Sequence, residues 1–318
     1  MGGGCKMSFS WVTHDRWPAI IVVVLALVAG AQNRVRAQSL EIPASDYGKV
    51  VLLEHESLGN AGNVLARSGA FEAIGGLEEK DPIRQLARAV VRLDVLSEKA
   101  GHRATHTCTA ILVGKRRILT NHHCLPGREG QVEKASVVFD YIRRDARGAA
   151  RVAVAIKPIE TSEALDYSVL RLEGDPPDGI VPLALSGRRV VARERLIVIQ
   201  HPAGQIKMMA EYHCRALASR SPAKPELHHS CDTLPGSSGA VVLDAGLHAV
   251  ALHHAGGLRR DDPQSYNRAV RATSLLAASR TLRAAPASRA DAGRSEAARP
   301  ATGSPGARLP ALNTLINQ

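Results

Sequence analysis

Aromatic residues are scarce in this chain. Phe, Trp and Tyr make up 3% of its 318 residues, so a core has to rest on Val, Leu, Ile and Ala. No basic cluster is interleaved with aromatics, and no nucleic-acid partner is expected. Cys-x-x-Cys and His-Glu-x-x-His are both missing, which removes the common zinc signatures. The His-His pairs at 122–123, 228–229 and 253–254 do not replace them. Neighbours on a strand point to opposite faces, so such a pair rarely gives two ligands to one ion. His122, His228, His229 and His254 read as polar loop or surface residues. Neither a metal nor another cofactor is expected. Acidic charge is in deficit: the net charge is +11, a solubility property that also attracts acidic substrates or surfaces.

What is present centres on Cys231-Asp-Thr-Leu-Pro-Gly-Ser-Ser-Gly-Ala-Val-Val-Leu243. A serine pair between glycines runs straight into an apolar strand, which is one way a chain exposes a hydroxyl nucleophile. Gly236 lets the backbone curl so that the amides of Gly236 and Ser238 point at one spot beside the Ser238 oxygen. Two N–H donors there form an oxyanion hole for a tetrahedral intermediate. Gly239 leaves room beside the nucleophile. Such a nucleophile needs a base and a group to orient it. Ile118-Leu-Thr-Asn-His-His-Cys124 offers histidine, and Ala164-Leu-Asp-Tyr-Ser-Val-Leu170 offers a carboxylate at a strand start.

The order His, Asp, Ser resembles the chymotrypsin template. Thr-Asn-His-His-Cys is similar to the Thr-Ala-Ala-His-Cys of trypsin-like peptidases, a register that makes His123 the base and His122 a bystander. Asp-Tyr-Ser-Val-Leu resembles that family's Asp-Ile-Ala-Leu-Leu, which makes Asp166 the orienter. Gly-Ser-Ser-Gly-Ala matches Gly-Asp-Ser-Gly-Gly and selects Ser238 over Ser237. The resemblance covers roughly residues 86–283. It implies an all-β fold of two six-stranded antiparallel β-barrels meeting at a cleft, with a closing C-terminal helix. It also implies a serine endopeptidase acting on protein or peptide substrates. A peptidase-fold binding protein that has lost activity is the alternative.

The branch most similar in style is that of the bacterial glutamyl endopeptidases, through Asp-Thr-x-x-Gly-x-Ser-Gly and Ala251-Leu-His-His-Ala-Gly-Gly257. By that resemblance Asp232, Thr233 and Leu252–Gly257 wall the primary substrate pocket. His253 and Thr233 then match the donors that hold a substrate carboxylate before the cut bond. Asp232, six residues before Ser238, stands where trypsin-like enzymes keep the carboxylate that selects Lys or Arg. The two preferences exclude each other unless Asp232 points away. Ala240 departs from the trypsin-like glycine, no Ile-Val-Gly-Gly start is present, and Ser237 replaces the aspartate that pairs with a freed N-terminus. Activation by that ion pair is therefore not expected.

Setting Cys5 aside leaves Cys108, Cys124, Cys214 and Cys231. The resemblance implies a Cys108–Cys124 bridge flanking the histidine, and it leaves Cys214 and Cys231 as a second pair. Free thiols are the other state available to all four.

Residues 1–37 have the form of a signal peptide or N-terminal anchor. Lys6 and Arg16 precede the apolar run Ala19–Ala29, which suits a signal and is short for a membrane span. Ala29-Gly-Ala31 and Val35-Arg-Ala37 are candidate cleavage sites, and Cys5 leaves with the signal. The product is secreted or periplasmic, and membrane-bound only if the segment stays uncleaved. Residues 38–85 lack a sustained period and read as a pro-segment or extension. Within 86–283, strands are expected over 87–95, 107–113, 117–120, 136–141, 152–158 and 168–172. A second set spans 195–200, 205–216, 226–231, 240–243, 248–253 and 267–271, with a helix over 271–284. Residues 284–318, rich in Ala, Arg and Pro, are expected to be a disordered tail. Oligomeric state is not readable.

Overall fold

A computed structural model describes residues 1–2, 40–51, 70–125, 130–218, 225–259 and 261–284. The apolar run with its cleavage sites, Cys5 and the C-terminal tail lie outside the described residues. Among those residues no helix is long and apolar enough to cross a membrane.

The chain is all-β. From the N-terminus it forms β1 (Leu40–Pro43), β2 (Glu72–Ala73), helix α1 (Pro82–Ala87), β3 (Val90–Lys99), β4 (His102–Gly114) and β5 (Arg117–Thr120). Strands β6 (Gln131–Phe139), β7 (Ala150–Val154), β8 (Glu160–Ser162) and β9 (Tyr167–Arg171) follow. After a long connection come β10 (Leu196–Gln200), β11 (Met208–Ala210), β12 (Glu226–His229), β13 (Val241–Asp244), β14 (Ala249–Ala255) and β15 (Asn267–Arg271). Helices α2 (Ala272–Ala278) and α3 (Arg280–Arg283) end the described part.

Two antiparallel sheets result. The first runs β7-β6-β3-β4-β5-β9-β8 with β1 added on β4; the second runs β12-β15-β14-β13-β10-β11-β2. Each sheet curls back on itself. In the first, a bridge between Val154 and Leu172 joins the end of β7 to the end of β9, supported by Ala155 N donating to Arg171 O at 2.9 Å. In the second, Arg215 bridges to Arg195 and Ala216 to His229, which ties the edge beside β10 to β12. This is the expected double-barrel class.

The strands differ from expectation in specific places. The stretch 205–216 was expected as one strand, but only β11 is regular. His213 takes a positive φ of 53°, and Cys214 is drawn into a disulfide, so the chain turns there. The expected helix over 271–284 is broken at Ser279, whose extended backbone separates α2 from α3 and whose side chain caps Leu282 N. The stretch 38–85, which shows no period, supplies β1 to one sheet and β2 to the other.

The core matches the shortage of aromatics. One cluster runs through both sheets, from Leu93, Ile111 and Leu119 to Ile199, Val241 and Leu252, with Phe139 and Tyr167 among its few rings. Strand β3 also buries a charged pair. Arg92 and Asp94 are buried and pair at 2.9 Å. Arg92 also donates to Lys49 O, Val50 O and Gly204 O, so its full set of donors is met in place of water.

Candidate active site

Three turns carry the site, and each is held by local chemistry. The first is the short helical turn His122–Cys124 after β5. The disulfide Cys108–Cys124 fastens it to β4. The second turn precedes β9 and holds Asp166 at a φ of +46°. Asn121 Nδ2 donates to Asp166 O at 2.8 Å, locking together the turns that bear His123 and Asp166. Aspartate is one of the few non-glycine residues that adopt this left-handed region readily.

The third turn carries Ser238. Gly236 and Gly239 have φ values of +94° and +86°. A Cβ on Gly239 would fall 2.0 Å from Thr109 O, and one on Gly236 would fall 2.9 Å from His201 O. Only glycine fits this turn. Thr109 staples it to β4: its amide donates to Ser238 O at 2.8 Å, and its hydroxyl donates to Gly236 O at 2.9 Å. Leu234 N donates to Ser237 Oγ at 3.0 Å, so that hydroxyl serves the loop. No hydrogen bond from Gly236 N or Ser238 N to another described residue occurs.

The structure brings His123, Asp166 and Ser238 together. His123 Nε2 lies 2.8 Å from Ser238 Oγ, and His123 Nδ1 lies 2.8 Å from Asp166 Oδ2. Asp166 Oδ1 also accepts from His123 N at 3.1 Å. With Nδ1–H turned to the carboxylate, Nε2 is free to accept the serine proton. Burial alone would raise the Asp166 carboxyl, but hydrogen bonds from His123 and His254 outweigh it and hold the group well below the usual carboxylate range. Asp166 is therefore an anion at any pH near neutral.

His254 is the residue that sequence reasoning missed. It was read as a polar surface position, but its Nδ1 lies 3.3 Å from Asp166 Oδ2. Strand alternation carried the signal: if His253 faces one side of β14, His254 faces the other. His229 was likewise read as surface and is fully buried. It pairs with β15 in the sheet, and its Nε2 lies 3.1 Å from His253 Nδ1. Burial pulls His229 down to about 3 and His253 well below its ordinary value. Both rings are neutral. His122 Nδ1 lies 3.0 Å from Thr161 Oγ1 and takes no part in the triad geometry.

The expected pocket residues are brought near one another only in part. His253 is buried against His229. Thr233 Oγ1 accepts from Asn267 Nδ2 at 3.0 Å, which leaves its own proton to donate elsewhere. Asp232 is buried, and its carbonyl accepts from Gln200 Nε2 at 2.9 Å. The second disulfide, Cys214–Cys231, anchors the residue just before this group. His123 lies close to Cys108 and Cys124, but the two sulfurs are bonded to each other and offer no thiolate to a metal.

Residues 108–252 match the model of the trypsin-like peptidase domain. The matched segment is a trypsin-like peptidase domain. An uncharacterized protein of Sinorhizobium fredii, y4fB, is 31% identical over 189 residues, covering 54% of this chain and 28% of that one. A secreted RxLR effector protein of Plasmopara viticola is 28% identical over 200 residues, covering 57% of this chain and 48% of that one. The chain thus spans half or less of the length of these curated relatives. Among solved structures, an HtrA-type protease with a tripeptide aligns with a TM-score of 0.49 at 14% identity, over 63% of this chain and 62% of that one.

Proposed function

We propose that the chain is an exported serine endopeptidase working through an acyl-enzyme. The observation that carries this reading is the continuous path from Ser238 Oγ to His123 to Asp166, with both links at 2.8 Å. In this mechanism His123 Nε2 takes the hydroxyl proton as Ser238 Oγ attacks a peptide carbonyl. The amides of Gly236 and Ser238 receive the oxyanion. The imidazolium then protonates the leaving amine, and water repeats the cycle on the ester. Asp166 stays anionic throughout and stabilises the charged ring. A fluorophosphonate should label Ser238 alone. Ser238→Ala, His123→Ala and Asp166→Asn should each lower kcat/KM by about 10⁴-fold, and His122→Ala should be mild. A dead His122→Ala beside an active His123→Ala would overturn the assignment of the base.

The preference before the cut bond is for an acidic side chain. In the tautomer pair in which His229 Nε2–H donates to His253 Nδ1 across their 3.1 Å contact, the His253 proton sits on Nε2 as a neutral donor for a carboxylate. Thr233, with Asn267 filling its acceptor side, supplies a hydroxyl donor. Substrates differing only at that residue test this. Cleavage after Glu over Lys, lost in His253→Ala, is the expected result. Efficient cutting after Arg, abolished by Asp232→Ser, would sink it.

Export is supported by the N-terminal apolar run and by two disulfides, bonds that persist in oxidising compartments. Mass spectrometry of protein recovered outside the cytoplasm should find Cys108, Cys124, Cys214 and Cys231 all oxidised. Four free thiols would refute the proposed location.

A further inference from the structure

Lys207 lies between the Pro202–Gly204 turn and β11, and its backbone is held on both sides. Its amide donates to Tyr141 O at 2.8 Å, and its carbonyl accepts from Ile74 N at 3.1 Å. The side chain is fully buried, yet Nζ has no hydrogen-bond partner among the described residues. An ammonium removed from water without acceptors is costly by several kcal/mol, so its three donors call for an occupant.

Lys207 is among the residues that line a cavity of about 380 Å³. At roughly 30 Å³ per water, that is room for about a dozen waters. The other charged walls are Arg84, Arg88 and Arg147 against Glu79 and Asp140, so four cations face two carboxylates. Both carboxylates already have guanidinium partners. Asp140 Oδ2 accepts from Arg88 Nη2 at 3.2 Å, and Glu79, 88% exposed, lies 4.0 Å from Arg84. Burial lowers Lys207 to about 8, with Asp140 opposing the shift and Arg88 adding to it. The ammonium is still mostly charged at neutral pH. None of these residues belongs to the triad.

We propose that this cavity binds a small dianion of the phosphate type, with Lys207 at its floor and Arg84, Arg88 and Arg147 around it. The walls keep an excess of positive charge even after Asp145, which lies 3.7 Å from Arg147, is counted, and that excess favours an anion. The guanidinium forks offer paired donors to neighbouring oxygens, while the ammonium acts as a point charge.

Isothermal titration of the full chain with inorganic phosphate, at ionic strength held constant with sodium chloride, tests the site. One saturable site per chain is expected. Its affinity should fall at least tenfold in Lys207→Met and severalfold in Arg147→Gln, a rim change that leaves the buried floor intact. If Lys207→Met does not unfold cooperatively, the double variant Arg84→Gln/Arg147→Gln takes its place, again with a loss of at least tenfold. Acetate, a monoanion, should bind at least tenfold more weakly than phosphate. The proposal is overturned by binding that does not saturate, by equal affinity in the wild type and the variants, or by acetate binding as tightly as phosphate.

Discussion

Asp166 is met by two histidines, and only one of them touches the serine. His123 comes from the turn after β5, and His254 comes from β14 with its Nδ1 at 3.3 Å. On the far side, His254 Nε2 stands 3.8 Å from Glu226, which lies 3.5 Å from Arg268. His254 therefore acts on the proposed reaction through Asp166, as a positioning residue. His254→Ala should lower kcat about tenfold, the rate equivalent of one lost charge-assisted contact, with KM little changed. His254→Asn, which keeps a short donor, should recover part of that loss. A rise in KM with kcat unaltered would instead mean that His254 belongs to substrate binding. Ser238, His123 and Asp166, which the fold brings together, each sit in a short run that resembles a trypsin-like motif, and that resemblance selects His123 over His122 and Ser238 over Ser237. The roles of Thr109, Asn121 and His254 were not open to such a reading. Each acts through a partner distant in the chain, so its role exists only once β4, β5 and β14 are paired.

At the scale of elements, the Ser238 turn is defined more by its glycines than by its serine. Gly239 has a positive φ and almost no space, with Thr109 O where a Cβ would go. Gly239→Ala should destabilise the protein by more than about 1 kcal/mol, since it adds both backbone strain and a clash, and activity should fall with it. Gly187 has ordinary φ and open space around it, so Gly187→Ala should leave the urea midpoint unchanged or slightly raised. Equal effects at the two positions would refute the steric account. Strands β5, β9, β10, β13 and β15 fell within about a residue of expectation; β10 and β13 are near-continuous Val, Leu and Ile, whereas β15 holds a single Val and is largely polar. Strands β1 and β2 escaped because they have only four and two residues: β1 alternates buried and exposed, but over too short a run to stand out from the polar and small residues around it. They are recruited by β4 and β11 rather than by their own pattern. The break at Ser279 escaped for a related reason: Thr273–Leu282 keeps helical spacing on both sides of a cap that only the backbone reveals.

At the scale of the whole molecule, three histidines among the described residues are buried: His201, His229 and His253. Burial is the first cause that pulls each below its ordinary value. Lys207 and Arg92 add to it at His201, and His254 and His228 add to it at His229. At His253, His229, His254 and His123 reinforce burial, while Asp166 opposes it. In the unfolded chain each would titrate near 6.5. Between that value and the lower folded one, the unfolded state binds more protons, so stability rises with pH and is lost on acidification. For His229 the window runs from about 6.5 down to about 3. Each histidine contributes a slope of about 1.4 kcal/mol per pH unit once its unfolded form is protonated. Asp166 acts in the same direction but only at lower pH, because its unfolded carboxyl protonates near 3.8. Urea unfolding from pH 7 to pH 5 should therefore show a steep fall in stability, with these three rings approaching three protons taken up on unfolding and His106 and His228, also lowered by burial, adding to it. The net charge of +11 also opposes folding in acid, through a repulsion that salt screens. The burial effect is local and survives salt. His229→Gln should remove about one proton from the slope at both low and high ionic strength. A slope that vanishes in high salt would assign the acid sensitivity to overall charge and not to the buried rings.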